Sequence, residues 1–345
     1  PLGPSQRGLS ALESQLRYIS HYPDATNDDI LNAIADIYGM NKNQIVVGNG
    51  AAELLYAICR LPGYTGAFVP APGFSEYKAA LEASRIPVRD IYYRPREDEH
   101  GKPYFEVPYL ALETFAAELK GQDGRIIVFL GNPNNPDGTL LDKNHIRTIA
   151  SMLKDANSLL VIDESFIDFV GNDTLQDNEY SMRSLVNEFD NIIVVHSFTK
   201  FYAVPGLRIG AAFSNPLIIE QLNSFIPTWS VNTLAQSYTE AALNDVEYVK
   251  RTKQVLHEEQ LFMYNSLDTI DGITIYPPSA NFMLFHIEQE GITAESINEA
   301  LKKYNMIVRN CDSYMGLNNQ WVRVAIKDHD TNVRLVEKLT DILKV

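Results

Sequence analysis

Short apolar runs constrain this chain more than any other feature. They include Ile-Ile-Val-Phe-Leu at 126–130, Leu-Leu-Val-Ile-Asp at 159–163 and Ile-Ile-Val-Val-His at 192–196. Each is the length of a strand and apolar at both odd and even positions, so it reads as a strand covered on both faces. Further strand-like runs fall at 45–48, 67–70, 87–93 and 208–213, with helix-like segments at 51–61, 75–83, 109–119 and 143–153 between them. This alternation predicts an α/β fold, a mainly parallel sheet between helices. In such sheets ligands gather at the loops beyond the strand ends.

The pattern changes beyond about residue 214. Helical stretches at 216–225, 231–243 and 247–267 lead into short strands at 273–276, 281–286, 306–309 and 322–326, with helices at 294–304 and 331–343. We read these as a smaller C-terminal α+β domain. The 345 residues suit two domains. The expected division is a large α/β domain over 24–240 and a small one from 1–23 with 241–345. Residues 93–106 read as a polar loop without a role.

Charge narrows the partners. The 29 Lys and Arg against 44 Asp and Glu give a net charge of −15. Such a surface repels nucleic acid and anionic lipid, so neither is an expected partner. An anionic substrate would need its own local cations. No apolar run is long enough to span a membrane. The opening PLGPSQRG lacks the basic-then-apolar pattern of a secretory signal. Cys59 and Cys311 are too few for a disulfide framework, and no metal-ligand spacing accompanies them. A cytoplasmic, metal-free protein is expected.

The chemistry concentrates in segments at the strand ends. Ser197-Phe198-Thr199-Lys200 closes the run 192–196, and Arg208 follows the Pro205-Gly206 turn. A lone lysine there would be a solvated side chain. Two hydroxyls and a guanidinium beside it are what a phosphate monoester needs. A lysine whose pKa is lowered by that cationic setting can form a Schiff base with an aldehyde. Asp163 ends a strongly apolar strand, where a carboxylate is costly to bury unpaired. A protonated pyridine nitrogen would pair with it; a helix N-cap or a structural ion pair would serve equally.

Three further segments are weaker alone. Gly131-Asn132-Pro133-Asn134-Asn135-Pro136-Asp137-Gly138 has ordinary turn chemistry, yet an asparagine amide held between prolines could donate to a phenolate oxygen. Gly48-Asn49-Gly50-Ala51-Ala52 turns a strand into a helix, whose first N–H groups can bind phosphate. Phe74, in Pro72-Gly73-Phe74-Ser75, could stack on a flat ring or belong to the core.

In this order the five segments resemble those of fold-type I pyridoxal-phosphate enzymes of the class I/II aminotransferase superfamily, over nearly the whole chain. The resemblance implies the PLP-dependent transferase-like fold, with a mainly parallel seven-stranded sheet. It implies pyridoxal 5'-phosphate as cofactor and assigns roles. Lys200 forms the Schiff base and shuttles protons, and Asp163 pairs with the pyridinium nitrogen. Asn135 donates to the phenolate oxygen, and Phe74 stacks on the ring. Gly50, Ala51, Ala52, Ser197, Thr199 and Arg208 hold the phosphate. Tyr22 matches a tyrosine that reaches a neighbouring subunit's cofactor phosphate, which implies a homodimer with shared active sites. Arg323 matches the arginine that grips the substrate carboxylate. Arg309 is a candidate for phosphate or carboxylate contact, or a structural ion pair.

Two subfamilies share these motifs, the histidinol-phosphate aminotransferases and the threonine-phosphate decarboxylases of cobalamin biosynthesis. The opening PLGP, SFTKFYAVPGLRIG, the PTWSVN segment at 227–232 with Thr228 inserted, and the run from Val308-Arg309-Asn310-Cys311 to Val322-Arg323-Val324-Ala325-Ile326 resemble the decarboxylases. Phe166 stands where many aminotransferases carry a tyrosine. The resemblance therefore implies a carboxy-lyase acting on a small phosphorylated amino acid, threonine phosphate or serine phosphate, with the aminotransferase as the alternative.

Overall fold

The computed structural model describes residues 3–119, 124–171, 174–176 and 178–343. Pro1 and Leu2 of the opening motif lie outside them. The N-terminal part runs α1 (Gln6–Gln15), α2 (Asp28–Tyr38), β1 (Ile45–Gly48), α3 (Gly50–Ile58), β2 (Tyr64–Ala71), α4 (Ser75–Ala83) and β3 (Val88–Tyr92). A hairpin follows, β4 (Arg94–Glu97) and β5 (Pro103–Glu106), then α5 (Tyr109–Leu119), β6 (Arg125–Gly131), α6 (Lys143–Asp155) and β7 (Leu159–Asp163). β8 (Ile192–Ser197) leads through the short α7 (Phe198–Phe201) to β9 (Gly210–Phe213).

These strands form one seven-stranded sheet in the order β1-β9-β8-β7-β6-β2-β3. β6, β7 and β8 are buried along nearly their whole length, as their continuous apolar runs require. β9 alone runs antiparallel to its neighbours, β8 and β1. The cause lies in the connection from β8. It holds a four-residue helix and a turn, too little for the usual helical crossover to a parallel strand. Because β9 is reversed relative to both, β1 points the same way as β8. The C-terminal ends of β1, β2, β6, β7 and β8 therefore share one edge of the sheet.

The chain continues through α8 (Pro216–Phe225), α9 (Thr233–Leu243) and the 22-residue α10 (Val246–Leu267). A second sheet follows, made of β10 (Ile273–Tyr276), β11 (Phe282–Ile287), β12 (Arg309–Asn310) and β13 (Trp321–Ala325), with α11 (Ala294–Lys302) and α12 (His329–Leu343). Its order is β10-β11-β13-β12, all antiparallel. The strand expected over 306–309 is shorter than its apolar residues suggest and pairs only at Arg309 and Asn310.

Sequence reasoning did not foresee three elements. α2 is amphipathic and buries Ile30, Ala33, Ile34 and Tyr38. α1 packs on α9, with Gly8 against the Tyr238 ring. The polar stretch expected as a loop forms the β4–β5 hairpin, whose register pairs Arg94 with Glu106 and Glu97 with Pro103. β4 is wholly exposed, so no apolar alternation marks it.

No helix among the described residues is long and apolar enough to cross a membrane.

Candidate active site

The sheet geometry brings the sequence motifs together at its shared edge. Ala51 and Ala52 begin α3 after β1, Phe74 precedes α4 after β2, and Asn135 follows β6. Asp163 ends β7, Ser197 ends β8, and Thr199 and Lys200 follow it in α7. A cavity of about 470 Å³ is lined by Ala51, Ala52, Phe74, Ser197, Thr199, Lys200 and Arg208, with Ser165 and Asn281.

One end of this cavity suits a phosphate. The Asn49 side chain does not cap α3, so the first N–H groups of that helix remain directed outward. The Ser197 and Thr199 hydroxyls are 2.8 Å apart and both residues are buried. Arg208 is held in the left-handed region at φ 58°, and its recorded hydrogen bond is a long one of 3.3 Å to the Pro205 carbonyl. Its guanidinium packs on Gly50, whose φ is 82°. A Cβ at Gly50 would run into the guanidinium, so the glycine lets Arg208 close over the helix start.

Lys200 lies further in. Burial lowers its pKa below the ordinary lysine range; Asp163 opposes this and Arg208 adds to it. Its ammonium nitrogen is 5.5 Å from the Phe166 ring centre. Asp163 has a donor on each oxygen. The Tyr77 hydroxyl donates to Oδ2 at 2.9 Å, and the Ser165 N–H donates to Oδ1 at 2.9 Å. Tyr77 lies in the first turn of α4, and its ring meets that of Phe74, the residue before the helix, edge to face with centres 5.7 Å apart. Sequence reasoning passed it over.

The Asn-Pro loop divides its three asparagines. Asn132 donates to Glu164 at 3.1 Å and to the Tyr180 carbonyl at 2.8 Å, and accepts from the Leu141 N–H. Asn134 donates to the Pro72 carbonyl at 3.0 Å and to Asp137. Both are buried and tie the loop to its neighbours, Asn132 to the segment after β7 and Asn134 to the turn after β2. Asn135 is half-buried and differs from them. Its Oδ1 accepts from Tyr314 at 3.1 Å and from Arg323, and no described residue is recorded as accepting from its Nδ2.

A second cavity, of about 680 Å³, adjoins the first and shares Asn281 with it. Phe166, Phe282, Arg309, Asp312, Ser313 and Arg323 line it. Phe166 and Phe282 meet edge to face with ring centres 5.1 Å apart, and the Arg323 guanidinium lies 5.2 Å from the Phe282 ring. Arg309 donates to Ser313 at 2.9 Å and sits 5.6 Å from the Tyr314 ring. Nothing in the sequence set Tyr314 or Phe282 apart from core aromatics. Tyr22 is not brought to either cavity. It is 78% exposed and stacks on Trp229 with ring centres 4.5 Å apart.

Residues 6–339 match the family described as aminotransferase class I and II. The chain belongs to this family. It is 31% identical over 343 residues to a bifunctional adenosylcobalamin biosynthesis protein of Leptospira interrogans, covering 99% of this chain but only 38% of that longer protein. It is 31% identical to the threonine-phosphate decarboxylase of Salmonella typhimurium, over 99% of this chain and 89% of the relative. Identity to the histidinol-phosphate aminotransferase of Methanothermobacter thermautotrophicus is 29%, over 100% and 87%. Among solved structures, a histidinol-phosphate aminotransferase from Clostridium acetobutylicum superposes with a TM-score of 0.87 at 24% identity, covering 99% and 97% of the two chains. An L-threonine-O-3-phosphate decarboxylase from Porphyromonas gingivalis gives 0.81 at 23%, covering 100% of both. The fold is that of the fold-type I pyridoxal-phosphate enzymes, and the cofactor of this family member is pyridoxal phosphate. The first cavity fits that group: it offers a buried amine, an aromatic wall and a phosphate-sized set of donors, and Asp163, held by two donors behind the lining, acts on the amine through its charge.

Proposed function

We propose that this protein removes the carboxylate of an O-phospho-L-amino acid, phosphothreonine or phosphoserine, as carbon dioxide and releases the amino alcohol phosphate. The observation that carries this reading is the pair Arg309 and Arg323. They line one cavity, and their recorded partners are Ser313, Asn135, Tyr314 and Phe282 rather than a carboxylate. Asp312 shares the cavity and accepts from Asn310. Two guanidinium groups with no carboxylate partner recorded among the described residues suit a substrate with two anionic groups. A phospho-amino acid has a phosphate and a carboxylate on one molecule, whereas histidinol phosphate has a phosphate alone and the aminotransferase reading must draw its second anionic group from 2-oxoglutarate.

When bound, pyridoxal phosphate supplies an aldehyde that captures amines and a ring that takes up the electron pair released at Cα. Lys200 is the amine that holds the aldehyde at rest, and its lowered pKa keeps more of it neutral and nucleophilic. Asp163, oriented by Tyr77 and Ser165, holds a proton at the ring nitrogen. Phe74 covers the ring, Asn135 donates to the phenolate oxygen, and Gly50, Ala51, Ala52, Ser197, Thr199 and Arg208 hold the phosphate. Arg323 would take the substrate carboxylate and Arg309 its phosphate, which would fix the orientation of Cα and so which of its bonds breaks. Phe166 and Phe282 keep water from that bond; when it breaks, the carboxylate leaves as carbon dioxide and the bonding electron pair stays at Cα. Lys200 then returns a proton to Cα.

The same reading makes the active form a homodimer. Tyr22 is exposed and outside its own chain's cofactor cavity, which suits contact with a neighbour's phosphate. The division into 24–240 and the remainder belongs to this reading as well.

A second reading, amino transfer by a histidinol-phosphate aminotransferase, draws on the 29% identity to such an enzyme across the whole chain. One assay separates the two. Phosphothreonine incubated with the cofactor-loaded protein is expected to yield 1-aminopropan-2-ol phosphate by mass spectrometry. Turnover of histidinol phosphate with 2-oxoglutarate to glutamate, and none of phosphothreonine, would establish the second reading instead.

A further inference from the structure

Tyr314 stands at a junction that none of the roles above uses. Its hydroxyl donates to Asn135 Oδ1 at 3.1 Å and accepts from Arg323 Nη1 at 3.4 Å, while Arg323 also donates to the same Asn135 oxygen. Arg309 covers its ring. The backbone seats it firmly: the Tyr314 N–H donates to the Cys311 carbonyl at 3.0 Å, and the Leu317 N–H donates to the Tyr314 carbonyl at 3.0 Å. Tyr314 comes from the segment between β12 and β13, whereas Asn135 belongs to the loop after β6. The contact therefore ties the C-terminal sheet to the cofactor loop.

An amide has an accepting end and a donating end. Two donors converge on the Asn135 oxygen. If the amide were reversed, its NH2 group would face a guanidinium, which cannot accept, and would lose the tyrosyl donor. The convergence thus fixes Nδ2 on the opposite side. Arg323 alone would be an unsteady anchor, because any anionic substrate that binds it competes with Asn135 for its N–H groups. A neutral tyrosyl hydroxyl is not drawn away in this manner.

We propose that Tyr314 is a positioning residue that holds the Asn135 amide with its nitrogen toward the phenolate oxygen of the bound cofactor. This rests on the reading that Asn135 faces that oxygen. A donor there stabilises the oxygen's negative charge and lowers the basicity of the adjacent Lys200 nitrogen. Loosening the amide weakens that donation and makes the nitrogen more basic.

The test is a pH titration of the bound cofactor's visible absorbance in four proteins: wild type, Tyr314→Phe, Asn135→Ala and the double variant. Tyr314→Phe keeps the ring against Arg309 and removes only the hydroxyl. It is expected to raise the midpoint by roughly half to one pH unit, the worth of one weakened hydrogen bond. Asn135→Ala is expected to raise it at least as far, and Tyr314→Phe is expected to add nothing in the Asn135→Ala background. An unchanged midpoint in Tyr314→Phe, with Asn135→Ala shifted, overturns the role of Tyr314. So does an equal shift from Tyr314→Phe in both backgrounds, which marks a general structural effect. An unchanged midpoint in Asn135→Ala overturns the underlying reading of Asn135, and the inference with it.

Discussion

A lysine needs three things to serve as a Schiff-base amine: seclusion, a nearby cation and a counter-charge that limits their effect. Lys200 has all three in burial, Arg208 and Asp163. The signs fix a prediction. Burial and Arg208 disfavour the ammonium, so its midpoint lies below the ordinary lysine range. The rate at which cofactor-free protein captures added pyridoxal phosphate is expected to rise with pH and level off below that range. Arg208→Gln removes a repulsive charge and should move the midpoint upward, whereas Asp163→Asn removes an attractive one and should move it downward. Rapid-mixing absorbance across a pH series checks both directions. If neither variant moves the midpoint, the charges beside Lys200 do not set its titration.

At the scale of elements, the turn from β1 into α3 shows how backbone serves chemistry. Gly50→Ala would place a Cβ against the Arg208 guanidinium at a φ of 82°. The expected cost is roughly 1–3 kcal/mol in stability from backbone strain, read by urea unfolding, together with weaker cofactor retention on dialysis. Normal stability and retention would mean that Arg208 needs no such close approach. This turn, Lys200, Asp163 and the Asn-Pro loop were legible in the sequence because each sits at the end of an apolar strand and the parallel sheet aligns those ends. Other features were not. Tyr77 and Tyr314 meet Asp163 and Asn135 across 86 and 179 residues, and pairings at such separation leave no periodic trace. The reversal of β9 depends on the length of a connection rather than on the strand's own residues. The exposed strand β4 has no buried face from which an apolar pattern could arise, and its partner β5 buries Phe105 alone. A buried network shares this illegibility: Asp168 accepts from Tyr38 at 2.8 Å and meets His196 at 2.9 Å, linking α2 to β8. Burial would raise the Asp168 pKa, but His196, Arg183 and Tyr38 together hold it below the ordinary carboxylate value.

At the scale of the whole molecule, the two sheets meet at one pair of cavities, and under the proposed function Tyr22 serves a neighbour's site. Shared sites make a distinctive prediction about mixtures. Tyr22→Ala and Lys200→Ala proteins should each have little activity. Unfolded together and refolded as random dimers, half would be hybrids, each with one site holding both residues, so about a quarter of wild-type activity should return. No recovery, with dimers present, would mean that Tyr22 serves its own chain or no site at all. The central claim concerns which bond at Cα is broken, and solvent isotope answers it. Phosphothreonine turned over in D2O by the cofactor-loaded protein should give 1-aminopropan-2-ol phosphate with one deuterium at Cα, and carbon dioxide in equal amount. With 2-oxoglutarate also present as an amino acceptor, a phosphorylated 2-oxo acid that retains the carboxylate, formed together with glutamate and without carbon dioxide, would contradict the account.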